Sequence, residues 1–352
     1  MRHGGSRLSR PTPVATVAGM PDSGTPRFFA DLISWYALEA LAFGDALGLR
    51  SALLQGPGTS AEIAVRADAD PRTTATWLAA MVAAGYAKHD TGVFRVDPDQ
   101  VAFLDGSFPA VDTLALLDFV RAMGARVPAV LDVLRSGSAP DHDLFGAEFG
   151  EAVGRVNAPL YAGALVTDWL AADDEVTARL EAGTTVVDLG CGSGAATRVM
   201  AEAFPTSTFI GVDRDAAALD RARRTAPGNV SFATAPPASY QVVTILDSFH
   251  HFADPDAVLA QIRAALPPGG VMVIAESSYE GDIDVDTADP FSVIGLASAL
   301  LYCDVEARSP SGTNQIAPQD GGVALRRALA AAGFSTITTH EGTGGYRVYF
   351  AR

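Results

Sequence analysis

The stretch "TTVVDLGCGSGAAT", residues 184 to 197, constrains the fold more than any other part of the chain. An apolar strand-like run, Val186-Val187, ends in Asp188. Gly190, Gly192 and Gly194 follow at alternate positions, and a helix-like run begins directly after them. A glycine loop between strand and helix lets a ligand approach the backbone near a helix N-terminus. The segments that follow repeat the pattern. Strands are expected at 185–189, 207–212, 229–233, 241–246 and 271–276, with helices at 195–204, 215–225 and 254–266 between them. That alternation predicts a doubly wound α/β sheet with its ligand site at the carboxyl ends of the strands. The last stretch, "STITTHEGTGGYRVYFAR", reads as two strands joined by a glycine turn, an antiparallel edge pair.

Upstream the pattern is helical. Residues 28 to 54 read as one or two amphipathic helices closed by Gly56-Pro57-Gly58. "TSAEIAVRA" has Thr59 or Ser60 to cap it and Glu62 in its first turn. A capped helix from Pro71 to about Ala84 comes next, then a hairpin, "YAKHD-TG-VFRV". Helix, helix and two-stranded wing make a winged-helix domain. Such domains can read DNA, but from Thr59 to Val96 four bases (Arg66, Arg72, Lys88, Arg95) face four acids (Glu62, Asp68, Asp70, Asp90). The second helix is mostly Ala, Trp, Leu and Met, without the polar side chains that base edges require. A formal net charge of −16 also argues against nucleic acid as a partner.

The expected boundaries are a disordered tail at 1–26, the winged-helix domain at 27–100, a helical connector at 101–182 and the α/β domain at 183–352, with a lid insert at 277–322. Two cysteines, Cys191 and Cys303, offer no disulfide framework. No signal peptide or membrane span is visible, so a reducing cytoplasm is the expected location and no membrane partner is expected.

Read as G-x-G-x-x-G/A, residues 190 to 195 would pass for a dinucleotide fingerprint. Asp188 argues otherwise, because beside that turn a pyrophosphate would meet an uncompensated carboxylate. An aminoacyl ammonium would be attracted there, with about 1.5–3 kcal/mol from a charge-assisted hydrogen bond. The next strand ends in Asp213, in "FIGVDRD", where an acid accepts hydrogen bonds from ribose hydroxyls. One acid for an amine, one for a ribose and bare backbone between them favour S-adenosylmethionine (SAM), with S-adenosylhomocysteine (SAH) as its product.

On these residues the chain resembles the class I SAM-dependent methyltransferases. "VVDLGCGSG" matches their first motif, "GVDRD" their second, and "LPPGGVMVIAE" another family mark. The resemblance covers residues 184 to 352 and implies a seven-stranded sheet with an antiparallel last strand. The winged-helix front resembles that of bacterial natural-product methyltransferases, in which this domain dimerises and closes the active site. The resemblance implies a homodimer acting on a small molecule, as in antibiotic biosynthesis. By position it implies that Gly190, Gly192 and Gly194 contact the methionine part, Asp188 orients its amine, Asp213 holds the ribose and Arg214 lies against adenine. The family's acid after the third strand is replaced by "FATAPPAS", which leaves Thr234 and backbone groups to read adenine.

At the end of the fourth strand stands "ILDSFHHFADP". His250 and His251 are the candidate bases, because an imidazole near its ordinary pKa suits proton abstraction. Asp247 is expected to touch the cofactor or orient a histidine. In the lid insert, Tyr302, Cys303, Asn314 and Gln315 are candidate substrate contacts. Asp282, Asp284 and Asp286 open like a calcium loop, but Thr287 and Val293 stand where glycine and glutamate are needed. His3, His89, His142 and His340 lie away from the pair, and no metal is expected. The expected reaction is O-methylation of a hydrophobic or aromatic metabolite. C-methylation of an activated aromatic or α-keto acid is the alternative, and a SAM-sensing winged-helix regulator is a rival of another class.

Overall fold

The computed structural model describes residues 25–108, 111–141, 144–289, 291–308, 316, 320 and 322–352. Asn314 and Gln315 lie outside the described residues. The chain divides into two compact units between Ser107 and Phe108. Of the segment expected as a separate connector, residues 101–107 group with the first unit and the helices from 108 onward with the sheet in the second.

The first unit contains α1 (Thr25–Ala46), α2 (Leu49–Leu54), α3 (Ser60–Ala67), α4 (Pro71–Ala83), the antiparallel strands β1 (Ala87–Asp90) and β2 (Val93–Val96), and α5 (Val101–Asp105). Thr59 and Glu62 form a reciprocal capping box at the start of α3. Asp70 caps α4, and Pro71 occupies its first turn. The Trp77 indole N–H donates to the Ala40 carbonyl at 2.8 Å and ties α4 to α1. Arg66 and Lys88 are among the unit's bases that are used internally. Arg66 donates to the Gly56 and Pro57 carbonyls at 2.6 and 2.9 Å, and Lys88 pairs with Asp97 at 2.7 Å. Helix α1 exposes Phe28, Ile33, Trp35, Tyr36 and Phe43.

The second unit begins with α6 (Thr113–Ser136), α7 (Gly146–Leu160), which continues as a wider π-turn segment over Tyr161–Trp169, and α8 (Asp174–Ala182). Then come β3 (Thr185–Leu189), α9 (Ala195–Ala203), β4 (Thr208–Val212), α10 (Ala216–Arg223), β5 (Val230–Ala233), β6 (Val242–Leu246), α11 (Pro255–Ala265) and β7 (Val271–Ser277). The insert after β7 carries α12 (Ile283–Asp286), α13 (Ser292–Ser298), a π-turn segment Ala299–Cys303 and α14 (Asp304–Glu306). The chain ends with α15 (Val323–Ala331), β8 (Ile337–Gly342) and β9 (Tyr346–Ala351).

The strands form one seven-stranded sheet in the order β5-β4-β3-β6-β7-β9-β8. The first five run parallel, and β9 is antiparallel to both β7 and β8. Successive residues feed opposite faces, as the pleat requires. Val186 packs with Trp169, Met200 and Phe350 on one face, and Val187 with Leu259, Ile274 and Leu329 on the other. Both faces are covered, so the central strands read as continuous apolar runs rather than alternating ones. The strand order reverses between β3 and β4 on one side and β6 on the other, which opens a crevice at their carboxyl ends. Among the described residues, no helix is long and apolar enough to cross a membrane. Asp282 caps α12, and Asp286 accepts from the Glu280 and Gly281 N–H groups. The acidic run thus serves its own loop.

Candidate functional site

β3 leads into Gly190, Gly192 and Gly194, all with positive φ, at 78°, 51° and 76°. The Gly190 and Cys191 N–H groups donate to the Val212 carbonyl at 2.8 and 3.1 Å, which folds the loop down on β4. A Cβ at Gly190 would stand 2.5 Å from the Ser248 hydroxyl, and one at Gly194 2.7 Å from the Phe232 ring. At Gly192 it would meet nothing within 4 Å. Packing therefore excludes side chains at 190 and 194, whereas 192 faces open space. Burial, with Asp188 and Asp213 nearby, pushes the Cys191 thiol far up. Cys191 is an inert filler.

Beside this loop lies a cavity of about 820 Å³. Gly190, Gly192, Asp213, Arg214, Thr234, Asp247, His250, His251, Tyr302 and Cys303 all line it. Sequence reasoning named every one of these, and the fold brings them together from five separate segments. Asp213 accepts from the Gly192 N–H at 2.8 Å with one oxygen and from the Asp215 N–H at 2.9 Å with the other.

Asp188 and Gly194 are not on the cavity wall. Asp188 is 2% exposed. Its carboxylate accepts from the Thr197 and Thr244 hydroxyls at 2.5 and 2.9 Å. Burial drives its pKa up to about 6, opposed by those two hydrogen bonds. The expected direct contact with a ligand amine is thus corrected. Asp188 sits behind the loop, because its side chain at the end of β3 points toward α9 and β6. Gly194 is screened by Phe232.

The opposite end of the cavity is built after β6 and β7. Asp247 has φ +54°, a conformation that costs a side-chain-bearing residue about 1–2 kcal/mol. It accepts from the Asn157 amide at 3.1 Å. Glu276, in the penultimate position of β7, accepts from the Phe249 N–H at 2.7 Å, and its second oxygen lies 2.5 Å from His250 Nδ1. The Glu306 carboxylate lies 3.2 Å from His251 Nδ1. Burial pulls the pKa of His250 down, but Glu276 and Cys303 outweigh it and hold it well above the ordinary imidazole value. For His251, burial and the His250 charge pull down, while Cys303 and Glu306 push up, to about 9. Burial raises the Cys303 thiol, yet the two imidazoles bring it net below its usual value.

Among the described residues, His250, His251 and Cys303 place three metal-type donor atoms within 4.8 Å of one another, as do Asp247, His250 and Glu276. The spacing of the two cysteines carries no metal signal, and Cys303 was not foreseen in that place. Glu276 and Glu306 place carboxylates beside the two rings. Beside it the rings of Phe145, Phe149 and Tyr302 stack at centroid distances of 4.5 to 5.0 Å, and Tyr302 lies 4.8 Å from His251.

Residues 161–339 match a family model described as a methyltransferase domain. The chain belongs to the methyltransferase-domain family. Over 95 residues the chain is 36% identical to trans-aconitate 2-methyltransferase of Acidovorax sp. (strain JS42), a match covering 25% of this chain and 36% of that protein. The chain thus matches little more than a third of the length of that curated relative. Solved structures with the same fold cover far more. Human N-acetylserotonin methyltransferase in complex with SAM superposes with a TM-score of 0.67 at 18% identity, over 95% of this chain and 99% of that one. The mitomycin 7-O-methyltransferase gives 0.68 at 17% identity, over 93% and 97%.

Glu276, Glu306, Asn157, Phe145 and Phe149 are among the site residues not singled out in the sequence. Only Glu276 carried a signal, as an acid closing the wholly apolar run of β7.

Proposed function

We propose that this methyltransferase transfers a methyl group from SAM to an oxygen of a small, flat, largely apolar acceptor in specialised metabolism. The observation that carries the reading is the polarity of this cavity. A bare glycine loop and Asp213 stand at one end, and a carboxylate-held histidine pair with an aromatic wall stands at the other. Asp213 has lone pairs left for ribose hydroxyls, Thr234 lies where adenine would be read, and Gly192 leaves room for the methionine arm. Asp188 supports the loop from behind and adds negative charge beneath an ammonium.

SAM supplies a sulfonium methyl that an aligned nucleophile takes in one in-line step. The protein's part is alignment, exclusion of water and proton removal. His250 or His251 takes the acceptor's proton when its ring is neutral, and the neighbouring glutamate stabilises the resulting imidazolium. Because both rings hold their proton above the ordinary imidazole range, His251 to about 9, turnover on this reading rises toward alkaline pH. Phe145, Phe149 and Tyr302 supply the face against which an aromatic acceptor stacks.

A carboxylate acceptor is the second reading. It is favoured by the similarity to trans-aconitate 2-methyltransferase and by the raised pKa values of the two imidazoles. Incubation with methyl-labelled SAM and a panel of phenols and carboxylic acids tests both readings. Label in a phenol ether supports the first and label in an ester the second. No label in any acceptor, with SAH bound, would remove both. The exposed aromatic face of α1 fits a second copy of the chain as partner, and light scattering of Trp35→Glu against wild type tests that assembly.

A further inference from the structure

Glu306 is the carboxylate beside His251, and it also faces a second way. One oxygen pairs with the Arg214 guanidinium at 2.7 Å, and the other lies 3.2 Å from His251 Nδ1. Arg214 directly follows Asp213 and lines the cofactor end of the cavity. His251 stands at the acceptor end, with the Tyr302 ring 4.8 Å away on the same insert as Glu306. The side chain of Glu306 is only 22% exposed. One short lid helix, α14, therefore joins the end of β4 to the turn after β6.

We propose that Glu306 is a positioning residue that couples the two ends of the cavity, holding His251 through one oxygen while Arg214 competes for the other. The inference rests on the reading of this cavity as a methyl-transfer site. A carboxylate shared between a guanidinium and an imidazole gives to one what it withholds from the other. A cofactor that draws Arg214 toward its adenosine releases Glu306 toward His251. The histidine then holds its proton more strongly when the cofactor is seated and more weakly when it is absent. Proton-accepting strength is thereby tied to occupancy of the donor site.

Every group around His251 enters this balance. His250 lies 4.1 Å away ring to ring, with Glu276 behind it on β7. From the insert come Tyr302, Cys303, Asp304 and Glu306. Asp247 follows β6, and Arg214 follows β4. Among these, Glu306 and Arg214 act on His251 with opposite sign. Glu306 favours the imidazolium, and Arg214 weakens that support. No simple packing role for Glu306 predicts such opposition.

The test is a pH titration of the histidine ring carbons by NMR on the full chain, with His251→Gln to assign the resonance. In Glu306→Gln the His251 midpoint falls by about one pH unit, the scale of losing a close opposite charge. In Arg214→Gln it rises. Saturating SAH raises it in wild type and leaves it unmoved in Glu306→Gln. The acid limb of the kcat profile follows the same shifts, whereas the KM for the acceptor stays within about twofold, well under the tenfold of 1.4 kcal/mol. Equal midpoints in wild type and Glu306→Gln, or a fall in Arg214→Gln, overturn the proposal. Should Glu306→Gln fail to fold, the sign in Arg214→Gln alone decides it. Loss of the methyl-transfer reading would show separately, as midpoints that shift as expected in a protein that methylates nothing.

Discussion

The Gly192 N–H donates to the Asp213 carboxylate at 2.8 Å, so the bare turn after β3 and the acid closing β4 form one unit. Asp213→Ala removes both this anchor and the acceptor proposed for the ribose. Charged hydrogen bonds are worth about 1.5–3 kcal/mol, so SAH binding should weaken about 10- to 100-fold in calorimetry. The Asp215 cap on α10 remains, and the fold should survive in thermal unfolding.

The glycines of that turn should respond differently to alanine. At both Gly190 and Gly192 a methyl group meets positive φ, at about 1–2 kcal/mol. Only at Gly190 does it also collide, 2.5 Å from the Ser248 hydroxyl. Gly190→Ala should therefore lower the melting temperature by several degrees more than Gly192→Ala. The latter should fold normally and lose SAH affinity, because its methyl projects into the cavity.

Buried Asp188 has a pH signature. Its folded pKa, raised to about 6 mainly by burial, lies above the ordinary aspartate value of about 4. The native state thus binds this proton more tightly than the unfolded chain. The stabilisation is fully present below about pH 4 and is lost as pH rises through 6, with an upper bound of about 3 kcal/mol. Asp188→Asn carries no such titration. Relative to wild type it should be as stable or more stable at pH 7.5, with the advantage gone at pH 4. SAH affinity should drop, because the charge beneath the ammonium is gone.

Replacing His250 and His251 together with alanine removes both candidate proton acceptors. Turnover should fall by about 10²- to 10⁴-fold, the usual contribution of a general base. The SAH dissociation constant should stay close to that of wild type. Activity near wild type with SAH still bound would show that neither imidazole takes the proton.

Much of this is legible in the sequence. The strand from Thr185 to Leu189 and the helix from Ala195 emerge where apolar runs and glycines place them, because local sterics decide both. The cavity-lining histidines and Asp213 were legible for a related reason: they stand shortly after the carboxyl ends of buried strands, where the ligand crevice of this sheet forms. Glu276 and Glu306 were not legible as partners of the histidines. Glu276 reaches His250 only because β7 pairs with β6, and Glu306 reaches His251 only through the fold of the insert. Asp188 misled for the same reason. Its position in the motif says nothing of Thr197 and Thr244, which meet it from α9 and β6 and turn it away from the cavity.

Calorimetric titration of the purified chain with SAH, set beside NAD, tests the central claim most directly. A saturable one-to-one SAH isotherm, lost in Asp213→Ala, with no heat from NAD, is the predicted result. Uptake of NAD with indifference to SAH would contradict the account.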